Sequence, residues 1–117
     1  MRLKNKIAIV TGAANGIGLS ISETFLKEGA VVFMADVDSE KVKTESEQFN
    51  AASLKAYPVV CDVGNTNDVE NLINEVVEKF GRVDVLVNNA AVAIGGNIND
   101  MPEDAWDKLM NINLNLI

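Results

Sequence analysis

Apolar runs alternating with amphipathic stretches along the chain predict an α/β fold, a doubly wound parallel sheet with helices on both faces. The runs Ile7-Ala8-Ile9-Val10 and Val31-Val32-Phe33-Met34-Ala35 are apolar at consecutive rather than alternate positions, which suits strands covered above and below. The cleanest helical stripe, Val69, Leu72, Ile73, Val76, Val77 and Phe80, lies between two further runs, where a crossover helix belongs.

Residues 6–18, KIAIVTGAANGIG, read as the first strand turning through Gly12, Gly16 and Gly18 into a helix. Such a turn exposes unpaired N–H groups at the positive end of the helix dipole, a setting that favours a phosphate or pyrophosphate. The spacing G-x-x-x-G-x-G is not the common G-x-G-x-x-G fingerprint, and the turn lacks the Lys-Ser/Thr of a P-loop. On these residues alone a strand-to-helix turn without a ligand stands equally well.

Ile17, Ile21 and Phe25 recur at i, i+4, i+8 as the expected buried face of the first helix, and Gly29 closes it. The second strand, Val31 to Ala35, ends in Asp36. A surface helix is expected from Asp38 to about Phe49, with Val42 and Phe49 as its apolar seam. Ala56 to Cys61 makes a third strand, whose Pro58 suits an edge position. Asn65 can cap the next helix, with Asp68 completing a capping-box-like arrangement, and Gly81 ends it. The fourth strand runs from Val83 to Val87 and ends in Asn88-Asn89. A loop through Gly95-Gly96 leads to Pro102 as the first residue of a fourth helix, with Glu103 and Asp104 behind it.

A length of 117 residues bounds the chain to one domain, 1–117. Its 48% hydrophobic and 23% charged residues are those of a globular sequence rather than a disordered one. The net charge of -7 argues against a nucleic-acid partner. No apolar run approaches membrane-spanning length, and the N-terminus does not read as a signal peptide. With one cysteine and no histidine, neither an intramolecular disulfide nor a zinc site of the usual ligands can be assembled. Cys61 reads as a small buried hydrophobe, and the composition points to a reducing cytoplasm.

Ligands of a doubly wound sheet bind at the carboxyl ends of its strands. The four expected strands end in Thr11-Gly12, Asp36, Asp62 and Asn88-Asn89, all polar directly after apolar runs. Each alone reads as an ordinary turn residue or local cap; together they line one edge. Asp36 follows Gly18 by 18 residues, close to the spacing of about 20 at which an acid holds the ribose 2′-hydroxyl in a dinucleotide site. Its carboxylate would accept from that hydroxyl and repel a 2′-phosphate, and neither Asn15 nor Val37 offers a positive charge to hold the phosphate. NAD is therefore expected rather than NADP.

Thr11-Gly12-Ala13-Ala14-Asn15-Gly16-Ile17-Gly18, Asp36, Asp62-Val63 and Asn88-Asn89-Ala90-Ala91 together resemble the N-terminal, cofactor-binding half of the short-chain dehydrogenase/reductase family. The resemblance spans essentially the whole chain and implies a Rossmann-type sheet. It implies that Gly12, Gly16, Ile17 and Gly18 cradle the cofactor phosphates, with Asn15 beside the adenosine ribose and Asp36 and Val37 next to it. Asp62 and the backbone of Val63 would contact adenine, and Asn88-Asn89-Ala90 would close on the ribose near the nicotinamide while tying the sheet together. The family often has glycine where this chain has Ala91; if that position needs positive φ, the alanine costs about 1 kcal/mol.

In the last helix Trp106, Leu109, Met110, Asn113 and Ile117 share one face, so Asn113 interrupts an apolar seam and needs partners. An internal helix-to-helix hydrogen bond would supply them. The segment 106–114 nevertheless resembles the family's stretch with its catalytic asparagine, which implies that Asn113 holds a water in a proton relay.

The resemblance further implies hydride transfer between the nicotinamide and a small alcohol or carbonyl substrate, by a serine and a Tyr-x-x-x-Lys pair. The one tyrosine, Tyr57, precedes Pro58-Val59-Val60-Cys61, and no serine follows Ser53. The chain is therefore expected to be truncated after about four strands and four helices, and inactive alone. A non-catalytic dinucleotide-binding or interaction module is the alternative. A methyltransferase-like site shares the turn and the acid, but Asn88-Asn89-Ala90 and Asn113 argue against it. The family's usual dimers and tetramers suggest a homo-oligomer.

Overall fold

A computed structural model of the chain describes residues 2–89. The elements are β1 (Ile7–Thr11), α1 (Gly16–Lys27), β2 (Val31–Asp36), α2 (Ser39–Ala51), β3 (Lys55–Val60), α3 (Thr66–Phe80) and β4 (Val85–Asn88). The expected loop through Gly95-Gly96 and the helix carrying Asn113 lie outside the described residues. All strand pairs are parallel, in the order β3-β2-β1-β4. The chain thus winds away from β1 on one side and returns to its other side, which makes the carboxyl end of β1 the switch point of the sheet.

Strand alternation divides the core into two layers. Ile7, Ile9, Val31, Phe33 and Ala35 pack with the buried stripe of α3, Val69, Leu72, Ile73 and Val76. Ala8, Val10, Val32, Met34 and Ala56 pack with Leu26 of α1 and Val42 of α2. Burial on both faces is the reason β1 and β2 are apolar at every position before their terminal Thr11 and Asp36, and each large side chain buried there contributes about 1.5–3 kcal/mol.

Two local expectations change. The buried face of α1 is Gly18, Ser22 and Leu26, whereas Ile17 is 70% exposed and Ile21 and Phe25 are half-buried. This face begins at Gly18 because the helix start lies against the glycine turn, where a Cβ would overlap the Gly12 carbonyl. At α3, Asn65 Oδ1 accepts from the Asp68 N–H at 3.1 Å as a cap should. The acid does not return the bond to Asn65; Asp68 Oδ2 instead accepts from the Asp62 N–H at 3.0 Å, tying the helix to the loop after β3.

Strand β3 begins and ends one residue earlier than expected, at Lys55–Val60, and is outermost among the described strands. The Cys61 N–H donates to the Asp36 carbonyl, so the even-numbered Ala56, Pro58 and Val60 turn their backbone groups outward. Asn50 meets both outward groups of Ala56, its Nδ2 donating to the carbonyl and its Oδ1 accepting from the N–H, each at 2.8 Å. Pro58 has no N–H to offer. Side-chain pairing and proline thus blunt the edge against strand addition.

Strand β4 also differs from expectation, spanning Val85–Asn88 rather than starting at Val83. Asp84 links it to β1 instead. Its N–H donates to the Ile7 carbonyl at 2.8 Å, and its Oδ2 accepts from the Ile7 N–H at 2.8 Å and from Arg82 Nε at 3.0 Å. Arg82 Nη2 also donates to the Asn5 carbonyl at 2.7 Å. Burial pushes the Asp84 carboxyl up, but the Ile7 N–H and the Arg82 guanidinium outweigh it and hold it below the ordinary carboxylate value. A lowered folded-state value means that Asp84 stabilises the fold fully above a pH of about 4 and loses that contribution as the pH falls through its folded value. Asp84→Ala should destabilise the chain by about 1–2 kcal/mol at neutral pH by orphaning the Ile7 N–H. It should also shrink the loss of stability on acidification in thermal melts; an acid limb as steep as the parent's would contradict this assignment.

Candidate functional site

The parallel register sets Thr11 beside Ala35 and Asn88, and Asp36 beside Val60. The polar residues that end the strands therefore meet at one edge. A cleft of about 350 Å³ opens there, lined by Gly12, Asp36, Val37, Cys61, Asp62, Val63 and Gly64. Five of these lining residues were singled out in the sequence. Gly64 was not, and Cys61 was read only as a buried hydrophobe, although their places immediately before and two residues after Asp62 were the available signal.

The glycine turn leaves β1 with Gly12 at φ 62°, and Gly16 at φ 55° opens α1. Both values lie in the left-handed region that glycine adopts without strain. Between them the Ala13 N–H donates to the Ala35 carbonyl at 3.1 Å, and the Ala14 N–H donates to Asp36 Oδ2 at 2.9 Å. The other carboxylate oxygen, Asp36 Oδ1, accepts from the Asp38 N–H at 3.0 Å. Asp36 thus braces the glycine turn against the loop that follows β2.

Asn15 stands in extended conformation at the start of α1 and makes no side-chain cap, and Asn15, Gly16 and Ile17 are exposed. No acid occupies the first turn of α1, so the positive end of its dipole is not neutralised locally. Thr11 and Gly18 act beneath the surface. Thr11 is fully buried, and its hydroxyl donates to Asn88 Oδ1 at 3.0 Å, with the Val87 carbonyl at 3.3 Å. A Cβ on Gly18 would overlap the Gly12 carbonyl and come within 2.8 Å of Asn89 Nδ2. The Asn89 amide itself donates to that carbonyl at 3.4 Å. A Cβ on Gly16 would meet nothing within 4 Å.

The third wall is pinned to α3. Asp62 Oδ1 accepts from the Gly64 N–H at 2.9 Å, and the Asp62 carbonyl accepts from the Asn65 N–H at 2.9 Å. Burial, then the Asp68 and Asp62 carboxylates, push the Cys61 thiol up to about 11. It stays protonated at neutral pH and serves as an apolar wall, not a nucleophile. Ala90, Ala91 and Asn113 lie outside the described residues. Among the described residues no group of three or more His, Cys, Asp or Glu side chains could hold a metal ion, and no helix is long and apolar enough to cross a membrane.

Residues 6–116 match the family model described as short chain dehydrogenase. Galactitol 2-dehydrogenase of Agrobacterium fabrum is 40% identical over 114 residues, 97% of this chain and 43% of that protein. The chain spans about half the length of the curated relatives it matches. The crystal structure of a short chain dehydrogenase from Mycobacterium smegmatis superposes with a TM-score of 0.74 at 39% identity, over 95% of this chain and 47% of that one. A short chain dehydrogenase/reductase from Burkholderia phymatum in complex with NAD gives 0.70 at 30% identity, over 74% of this chain and 31% of that one.

The two helix-start glycines predict separable effects. Gly18→Ala should destabilise the chain by about 1–3 kcal/mol, because its methyl meets a backbone carbonyl that cannot move aside. Gly16→Ala should cost only about 1 kcal/mol, the price of its positive φ. Equal losses in thermal melts would show that packing beneath the turn is not what requires Gly18.

Proposed function

Because the chain belongs to the short-chain dehydrogenase family, we propose that residues 1–117 form the cofactor-binding half of an oxidoreductase. The complete enzyme moves hydride between NAD(H) and a small alcohol or carbonyl substrate. The observation that carries this reading is the cleft at the carboxyl edge, where the glycine turn, Asp36 and Asp62-Val63 converge. When bound, the nicotinamide supplies the hydride acceptor or donor.

The residues present fit such a cofactor. The exposed start of α1 at Asn15, Gly16 and Ile17 offers N–H groups and a dipole to the phosphates; Thr11, Gly12 and Gly18 hold that start in place. Each Asp36 oxygen already accepts one N–H and keeps lone-pair capacity for a ribose hydroxyl. Val37, Asp62 and Val63 wall the adenine side. Asn89, Ala90 and Ala91 close on the nicotinamide ribose, and Asn113 positions a water for proton transfer. Asp36 and the NAD bound to the Burkholderia relative support NAD as the cofactor. The lone cysteine suits the cytoplasm, and the family suggests a homo-oligomer with no membrane or nucleic-acid partner.

The alternative reading, a dinucleotide-binding module without chemistry, rests on the same cleft. Either way the 117-residue chain should bind NAD in preference to NADP and should not turn over alcohols or ketones. Fluorescence titration with the reduced cofactors tests the first statement, and equal affinities would defeat it. Clear turnover by the purified chain would show that the acid/base chemistry lies within these residues.

A further inference from the structure

Asn15-Gly16 is the one Asn-Gly pair in the chain, and it stands at the head of α1 with both residues exposed. Other asparagines are tied down by their side chains: Asn50 to Ala56, Asn65 to the Asp68 N–H, Asn88 to the Thr11 hydroxyl and Asn89 to the Gly12 carbonyl. The Asn15 side chain caps nothing. Glycine has no Cβ to shield its own nitrogen, and the Gly16 N–H, opening the helix, has no partner within it. An uncommitted side-chain amide thus precedes an unshielded main-chain nitrogen, the pairing in which asparagine most readily closes on the residue that follows. Ring closure needs the Asn15 ψ, 158° in the structure, to turn. The rotation releases the Leu19 N–H from the Asn15 carbonyl, a 3.2 Å bond in the terminal turn where helices fray. There is space for it, since even a Cβ at Gly16 would meet nothing within 4 Å.

We propose that Asn15-Gly16 is a deamidation site within the glycine turn, open while the cleft is empty and closed when a phosphate lies on the Gly16 N–H. The Gly16 nitrogen gives its proton to solvent base and attacks Asn15 Cγ. The N–Cγ bond forms, the Cγ–Nδ2 bond breaks, and Nδ2 leaves as ammonia. Water then opens the cyclic imide: cleavage at Cγ gives aspartate, and cleavage at the main-chain carbonyl gives isoaspartate, with no change of oxidation state. Both products set a new carboxylate at the start of α1. That charge complements the helix dipole and aspartate is a good cap, so the fold tolerates it, but it faces the place proposed for the cofactor phosphates. Isoaspartate also lengthens the main chain by one carbon directly before the helix. The site stands on Asn15 and Gly16 alone; its effect on cofactor affinity rests on the reading of the cleft as a dinucleotide site.

The test maps every asparagine by peptide fragmentation that separates aspartate from isoaspartate, while the purified chain stands at mildly alkaline pH with and without NAD. Asn15 should convert before any other asparagine, and NAD should slow the conversion in proportion to its occupancy. Gly16→Ala should slow it as well, and Asn15→Ser should remove it. Asn15→Asp should bind NADH at least about fivefold more weakly than the parent, the effect of one like charge about 4 Å from a phosphate in water. Asn15 intact after other asparagines have reacted, or equal rates in the parent and Gly16→Ala, would overturn the site. Conversion that saturating NAD leaves unslowed, or NADH bound by Asn15→Asp as tightly as by the parent, would overturn its link to the cofactor. Should Gly16→Ala fail to fold, the map of the parent still decides the site. A parent chain that binds no cofactor removes the dinucleotide reading, while early conversion at Asn15 still supports the site.

Discussion

Parallel register is the constraint on which the rest of the structure depends. Once Thr11 lies beside Ala35 and Asn88, and Asp36 beside Val60, every strand delivers its terminal residue to the same edge. The loops that follow must then satisfy their polar groups close to one another. Asp36 meets the Ala14 and Asp38 N–H groups, Thr11 meets Asn88, and Asn89 meets the Gly12 carbonyl. Of these side chains Asp36 lines the cleft itself, where it holds two loops in place and still has lone pairs to offer.

The register in turn depends on burial and on two devices at the far end. Strands apolar on both faces hold the two core layers against α3 on one side and α1 and α2 on the other. At the amino end, Asp84 exchanges hydrogen bonds with Ile7 in both directions before the β1–β4 ladder begins. At the outer side, Asn50 stands in for a neighbouring strand at Ala56. Each device fixes strand position through groups far from the cleft, so the geometry of the site rests on residues with no contact to any ligand.

Much of this was legible in the sequence, for physical reasons. Runs of consecutive apolar residues located the strands, because only a sheet covered on both faces demands them. Polar residues directly after those runs located the cleft, because parallel strands bring like ends together. Periodicity was only partly right at α1, where Ile21 and Phe25 flank the core, Ile17 is exposed, and Gly18, Ser22 and Leu26 form the buried centre of the face. An apolar count favours large side chains, while a helix start pressed against a backbone carbonyl selects small ones. The braces at Ala14, Asp84 and Asp68 were also hidden. Each joins a side chain to a main-chain N–H, and main-chain donors leave no trace in residue type. Ala90, Ala91 and Asn113 lie outside the described residues, so the roles proposed for them stand on the family resemblance.

Holding a cofactor and using it are separable tasks, and the proposed function assigns these residues the first. The most direct measurement is backbone amide mapping of the chain during titration with NAD. Saturable shifts concentrated at Gly12, Ala14, Asp36 and Asp62 to Gly64 are predicted. The lysine-lined groove at the opposite, amino end of the sheet, around Lys4, Lys27 and Lys55, should stay unchanged. Shifts confined to that groove, or none at the carboxyl edge at saturating NAD, would contradict the account.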